Sequence, residues 1–267
     1  MKLIAVDLDG TLLRSDGSVS ERTVETLRRC AAAGMTILLA SARPLRWIRP
    51  IAQRLGHTGF AVCSNGAVVY DAGTDTVIST DLLPSAMALD VVDAVGRAIP
   101  AAAFAVETVA GFGHEPGFEV HVFEMDGRPT VAPVAELITQ DVIKLLVHHR
   151  SIGADQLLAA TNETTDGLVE VTHSGGRGLL EISARGVTKA STLAKLAEQR
   201  GVAATDVVAF GDMPNDLPML AWAGTSYAMA NAHPDVLAAA DYVAPSNDDD
   251  GVAIALSSLL QFGAPRV

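Results

Sequence analysis

"VDLDGTLL", Val6 to Leu13, follows the apolar run "LIAV" (3–6) with two aspartates two positions apart and then turns at Gly10-Thr11. Taking a carboxylate out of water is expensive unless a cation or hydrogen bonds compensate it. Asp and Gly are also ordinary turn residues, so the stretch alone fits a plain turn as well as a metal- and phosphate-binding strand end. The rest of the chain decides between the two.

Downstream, strand-like and helix-like patterns alternate. Ser20 is placed to N-cap a helix with Val24, Leu27 and Ala31 on one face, Val19 stapled onto Val24, and Gly34 at its end. "MTILLA" (35–40) reads as a fully buried strand, followed by "SARP" and a helix from about Pro44, which Pro50 is expected to kink or restart. "FAVCS" (60–64) reads as a third strand, and a hairpin around Ala72-Gly73 follows. The middle of the chain has a different rhythm. A helix over 84–98 precedes strand-like pieces at 101–109, 118–124 and 142–149, a helix near 154–163, and the short strands "LVEVTH" and "GLLEIS". Grouped strands of this kind indicate an α+β layer. From about 186 the alternation returns. Thr188 caps a helix bearing Leu193, Leu196 and Ala197, and strands "DVVAF" (206–210), "TSYAM" (225–229) and "DYVA" (241–244) follow. The expected organisation is one α/β core, residues 1–81 and 185–267, interrupted by an inserted α+β domain at 82–184.

The chain has 267 residues, 49% of them hydrophobic, yet charges interrupt every apolar stretch before the roughly 18 residues a bilayer span needs. No secretory h-region follows Met1-Lys2, and Cys30 and Cys63 have neither metal-site nor disulfide-framework spacing, so a cytoplasmic protein is expected. A formal net charge of −12 argues against nucleic acid as partner, while leaving a small anion possible where a metal and a few cations reverse the local potential.

Three polar turns each lie just past a core strand: Asp7/Asp9, Ser41 with Arg43, and "GDMPND" with Asp212, Asn215 and Asp216. Ligands of open parallel sheets sit outside the carboxyl ends of the strands. Acidic turns converging there would repel one another without a cation, and carboxylates plus a substrate phosphate are the hard oxygen ligands that Mg²⁺ prefers. Lys189, opening a helix, supplies a point charge for a phosphate.

These motifs in this order resemble the haloacid dehalogenase superfamily of phosphotransferases, and within it the Cof-like sugar-phosphatase group. "DLDGTLL", "SAR", "GVTKAST" and "GDMPNDLPML" look like its four motifs, and "SNGA" (64–67), "LEI" (180–182), "AMANAHPDV" and "DDDGVA" also resemble this group, so that the likeness covers nearly the whole chain. The resemblance implies a Rossmann-like, doubly wound parallel sheet with an inserted α+β cap, and a Mg²⁺-dependent phosphatase of small phosphorylated metabolites, sugar phosphates first. It implies Asp7 as the nucleophile that forms an aspartyl-phosphate, and Asp9 as the general acid and then base. It implies metal ligation by the carboxylates of Asp7 and Asp212 and the backbone carbonyl of Asp9, with Lys189 clamping a phosphoryl oxygen and screening Asp7. Ser41 with Ala42 and Arg43 would meet the phosphate, Asn65 the phosphate or the substrate near it, and Asn215 and Asp216 would orient Lys189 and metal-bound water. Thr11 would fix its turn.

The chain departs from the group's pattern at Ser41-Ala42, where Thr-Gly is commoner, and at Ala190 and Ala230, where Gly is usual. None of these removes a reacting group. Other residues keep plainer readings. Asn215 and Asp216 also suit an N-cap for "LPML", and Arg43 suits an ion pair as well as a substrate contact. Arg46, Trp47 and Arg49 suit a solvated helix face, and all seven histidines suit surface or packing roles. In the insert, Glu119, His121, Arg177 and Glu181 are candidates to face a substrate, without a catalytic role. A phosphohexomutase-like transferase and a non-catalytic sugar-phosphate sensor are the competing functions, and a silent sensor would be expected to have lost Asp7, Asp9 or Lys189. No heptad or apolar edge marks an oligomer interface.

Overall fold

The computed structural model describes residues 1–119, 129–175 and 178–262. The chain opens with β1 (Leu3–Asp7), α1 (Glu21–Ala32), β2 (Thr36–Ala40), α2 (Leu45–Leu55), β3 (Phe60–Cys63), β4 (Val68–Asp71) and β5 (Thr76–Thr80). Its middle holds α3 (Ser85–Ala98), β6 (Ala103–Thr108), β7 (Gly111–His114), β8 (Thr130–Val131), α4 (Val134–Leu137), β9 (Lys144–His148), α5 (Ala154–Thr165), β10 (Val169–Thr172) and β11 (Leu179–Ala184). It closes with α6 (Lys189–Gln199), β12 (Val207–Gly211), α7 (Leu217–Trp222), β13 (Thr225–Met229), α8 (Pro234–Ala239), β14 (Tyr242–Ala244) and α9 (Gly251–Phe262). Two compact units result, Met1–Ser79 with Thr188–Val267, and Thr80–Val187.

The first unit is built on an eight-stranded sheet in the order β14-β13-β12-β1-β2-β3-β4-β5. The strands from β14 to β3 run parallel, and β4 returns antiparallel to β3. Every residue of β1 is buried, which is why "LIAVD" reads as an unbroken apolar run rather than an alternation. Leu3 and Ala5 pack in one cluster with Leu193 and Leu196 of α6 and Met219 and Leu220 of α7. From β1 the chain lays β2 and β3 to one side, and β12, β13 and β14 to the other. The order therefore reverses between β1 and β12, and the crevice beyond their carboxyl ends is where such sheets bind ligands. Asp7 ends one of these strands and Asp212 follows the other.

The second unit is a six-stranded sheet in the order β10-β11-β9-β6-β7-β8, antiparallel except for β7 with β8. Alternate residues of its strands (Phe104, Val106, Leu145, Val147, Leu180 and Ile182) share a core with Val91 and Val95 of α3 and Leu157 of α5. The chain is thus an α/β protein with a parallel sheet core and an inserted α+β unit.

Several local expectations need correction. The buried face of α1 is Thr23, Thr26, Leu27 and Cys30, with Val24 only half-buried and Ala31 exposed. Threonine methyls and a cysteine fill this face, so its polar lettering hid the stripe. Helix α2 runs through Pro50 without interruption, because Ile48, Ile51, Ala52 and Leu55 anchor both of its halves in the core. The first two residues of β2 are only half-buried. Strands β7 and β8 and helix α4 went unread. The strand expected at 118–124 falls almost wholly outside the described residues.

Candidate active site

Strand β1 delivers Asp7 to the carboxyl edge of the sheet at 4% exposure, and the turn after it is tied by Leu12 N–H to the Asp7 carbonyl and Leu13 N–H to the Leu8 carbonyl. Gly10 takes φ +75°, and a Cβ there would run into the Asp212 carboxylate, so only glycine allows the two acidic turns to approach this closely. Thr11 donates from Oγ1 to Asp212 Oδ1 at 3.0 Å, which ties its turn to the neighbouring strand end rather than to itself.

Helix α6 starts with a capping box. The Thr188 hydroxyl accepts from Ser191 N–H at 3.0 Å, and Ser191 Oγ accepts from Thr188 N–H at 3.0 Å. The cap fixes Lys189 as the first helical residue. Its ammonium, 1% exposed, donates to Asp7 Oδ1 and Asp216 Oδ1 at 2.7 Å each. Asp216 Oδ2 accepts from the backbone amides of Asp212 and Met213 at 3.0 and 3.1 Å. Asp216 therefore holds Lys189 and closes its own loop, and makes no side-chain cap on α7, contrary to the N-cap reading. Asn215 does not orient Lys189: its Nδ2 donates to Asn65 Oδ1 at 3.0 Å, joining loops 150 residues apart. Asn65 itself sits in a buried turn with Ser64 and Gly66, all three at positive φ.

Ser41 is buried past β2, and its Oγ accepts from Arg43 N–H at 3.1 Å, so the hydroxyl proton points elsewhere. Ala42 is half-buried between them. The Arg43 guanidinium does not enter the core. It grips Asp9 with both forks, Nε to Oδ2 at 2.7 Å and Nη2 to Oδ1 at 2.5 Å. The structure thus gathers Asp7, Asp212, Asp216 and Lys189 into one buried cluster, sets Asp9 with Arg43 at its mouth, and links Asn65 to Asn215.

Oxygens of Asp7, Asp212 and Asp216 lie within 4.8 Å of one another. One ammonium cannot neutralise three carboxylates. Burial, then the neighbouring carboxylates, raises Asp7 well above the usual range despite Lys189, and burial with Asp216 pushes Asp212 up to about 7. Burial works against the charge on Lys189, but Asp216 and Asp7 outweigh it and keep the ammonium protonated. Asp216 has both oxygens engaged, whereas Asp7 and Asp212 each keep Oδ2. Buried, hard and negatively overcharged, this donor set fits Mg²⁺, with Asp7 and Asp212 better placed to hold it than Asp216.

The model of a family described as haloacid dehalogenase-like hydrolase matches residues 4–256. The chain belongs to that family. It is similar to a pyridoxal phosphate phosphatase of Escherichia coli K12, 30% identical over 94% of this chain and 96% of the relative. It is also similar to a 5-amino-6-(5-phospho-D-ribitylamino)uracil phosphatase of Bacillus subtilis 168, 29% identical over 94% of each chain. A crystal structure from Streptococcus mutans superposes with a TM-score of 0.87 at 26% identity, covering 97% of this chain and 99% of the other. The haloacid dehalogenase-like protein is a phosphoric monoester hydrolase.

In the hydrolase's inserted unit, Glu119 pairs with Arg150 at 2.8 Å, and Glu181 accepts from Lys144 Nζ at 2.9 Å and from Ser174 Oγ at 2.6 Å. His121 and Arg177 lie outside the described residues. Sequence reasoning missed Lys144, an ordinary-looking strand residue that is only 6% exposed. It also gave no role to Asn231, whose Nδ2 donates to the Gly10 carbonyl at 2.8 Å while its Oδ1 accepts from Asn247 N–H at 3.0 Å. The signal for Asn231 was present in "AMANAHPDV". Among the described histidines, His233 caps α8 and His173 bonds Asp155, and none joins the acidic cluster. No described helix is long and apolar enough to cross a membrane.

Proposed function

We propose that the hydrolase cleaves small phosphate monoesters by two successive transfers through Asp7, with Mg²⁺ as cofactor. The supporting observation is the contrast between the two carboxylates of "DLD". Asp7 is buried and clamped by Lys189, whereas Asp9 is half-exposed at the mouth, where a leaving group and then water arrive. The Asp7 and Asp212 carboxylates and the Asp9 carbonyl would hold Mg²⁺, which when bound would supply positive charge against the oxygens of the transferring group. Asp7 attacks phosphorus through one carboxylate oxygen, and the bond to the ester oxygen breaks with its electron pair going to that oxygen. The Asp9 carboxyl protonates it. Asp9 then takes a proton from water as that water attacks phosphorus, the Asp7–phosphate bond breaks, and both side chains return to their starting forms. Lys189 stays charged throughout. It and the Ser41 hydroxyl hydrogen-bond phosphoryl oxygens as their charge grows, and Asn65, held by Asn215, borders the same group.

The substrate class is small phosphorylated metabolites. Sugar phosphates follow from the sequence resemblance, while the names of the two curated relatives put pyridoxal phosphate and the phosphoribitylamino-uracil first on a test panel. Free thiols at Cys30 and Cys63 suit a reducing, cytoplasmic setting. Phosphate release from such a panel, with Mg²⁺ and with chelator, tests the reading. Metal-dependent release that disappears in Asp7→Asn is expected. Release that survives the substitution or the chelator contradicts it, and an isomerised ester in place of free phosphate would identify a mutase.

A further inference from the structure

The Arg43–Asp9 pair differs in kind from the buried Lys189 cluster. Its side chains are 31% and 50% exposed, and an exposed ion pair contributes only about 0–1 kcal/mol to stability. Both Asp9 oxygens are nonetheless occupied by one guanidinium, at 2.7 and 2.5 Å. A carboxyl held through both oxygens by one fork cannot turn toward an ester oxygen or a water without giving up at least one of these bonds. The backbone that carries Arg43 is fixed. Its amide donates to Ser41 Oγ at 3.1 Å and its carbonyl accepts from Ser64 N–H at 2.9 Å, so the guanidinium swings from an anchored point next to the hydroxyl assigned to the phosphate. Among side chains, a guanidinium fork matches carboxylate and phosphate equally well.

We propose that Arg43 is a positioning residue for Asp9: it holds the Asp9 carboxylate until a phosphoryl group competes for the fork, and its transfer to that group delivers Asp9 to the reacting oxygen. The inference rests on the reading of Asp9 as general acid and base. A weak exposed pair suits the task, since a dianion must displace it on every turnover. The freed carboxylate takes up from solvent the proton it gives to the leaving group, and the proton it takes from water in the second transfer goes back to solvent as phosphate leaves and Arg43 returns.

The test compares p-nitrophenyl phosphate, whose leaving group needs no proton, with glucose 6-phosphate, whose alkoxide does, both with Mg²⁺. Arg43→Lys keeps the charge and loses the fork, and Arg43→Ala loses both. Each is expected to lower kcat/KM for the alkyl ester more than for the aryl ester, by about a hundredfold for Arg43→Ala, the low end of what a general acid contributes. In an Asp9→Asn background the same substitutions should leave the alkyl-to-aryl ratio where Asp9→Asn alone puts it. Equal losses on both esters, in variants whose melting temperature matches wild type, would overturn the inference and leave Arg43 a phosphate contact. If Asp9→Asn itself fails to depress the alkyl ester selectively, the reading of Asp9 falls and the inference falls with it.

Discussion

At Lys189 one buried ammonium meets two buried carboxylates, and removing one partner of such a cluster leaves uncompensated charge. Lys189→Met is expected to abolish turnover and to cost about 3 kcal/mol or more of stability, read by urea denaturation. Wild-type stability in that variant would show that Asp7 and Asp216 do not depend on the ammonium. Gly10→Ala forces a side chain into a left-handed turn and against Asp212. It should weaken Mg²⁺ binding in calorimetry at least tenfold, about 1.4 kcal/mol. Cys63 is buried with its thiol pushed up to about 12, so it should resist iodoacetamide in native protein and react only on unfolding. At this scale the sequence was most legible where motif spacing brings side chains together, as at Asp7, Lys189 and Asp212, which the fold gathers into one buried cluster. It was least legible where one polar residue has two possible partners. Nothing in "SNGA" or "MPND" says that Asn65 and Asn215 bond one another, or that Asp216 spends itself on Lys189 and two amides rather than on capping a helix.

The capping box of α6 is the element-scale device that aims the lysine. Thr188→Ala removes the acceptor for Ser191 N–H and should cost about 1 kcal/mol of stability. Because Lys189 is the next residue, kcat should fall more than that loss of folded protein explains. A variant with wild-type kcat would separate the cap from catalysis. Elements with long periodic patterns, such as α3, α5 and α6, were readable because their apolar spacing repeats over several turns. Two-residue β8 and four-residue β7 and α4 are too short to show any period, and β7 carries two glycines where strand formers are usual. The face of α1 was misjudged because threonine and cysteine fill it, and Pro50 because tertiary anchoring outweighs one missing amide donor.

For the molecule as a whole, the overcharged cluster links folding to pH and metal. Asp212 titrates near 7 when folded against an ordinary 3.8, and Asp7 is raised as well. Folded protein therefore holds more protons than unfolded protein between these values, and the metal-free form loses stability as pH rises from about 4 through about 7. Mg²⁺ bound at this cluster would take the place of those protons, so its gain in melting temperature should be larger at about pH 8 than at about pH 5. An equal gain at both would place the metal away from these carboxylates. The parallel sheet was legible in the alternation of elements, while its doubly wound order came only with the family resemblance and the reversal between β1 and β12 only with the structure. The central claim, transfer through Asp7, is tested most directly by trapping. Asp9→Asn protein mixed with p-nitrophenyl phosphate and Mg²⁺, quenched in acid and digested, should carry one phosphoryl group on Asp7 by mass spectrometry, because the step that needs a general base is blocked. Turnover with no label on Asp7, in this variant or in wild type quenched during steady state, would contradict the account.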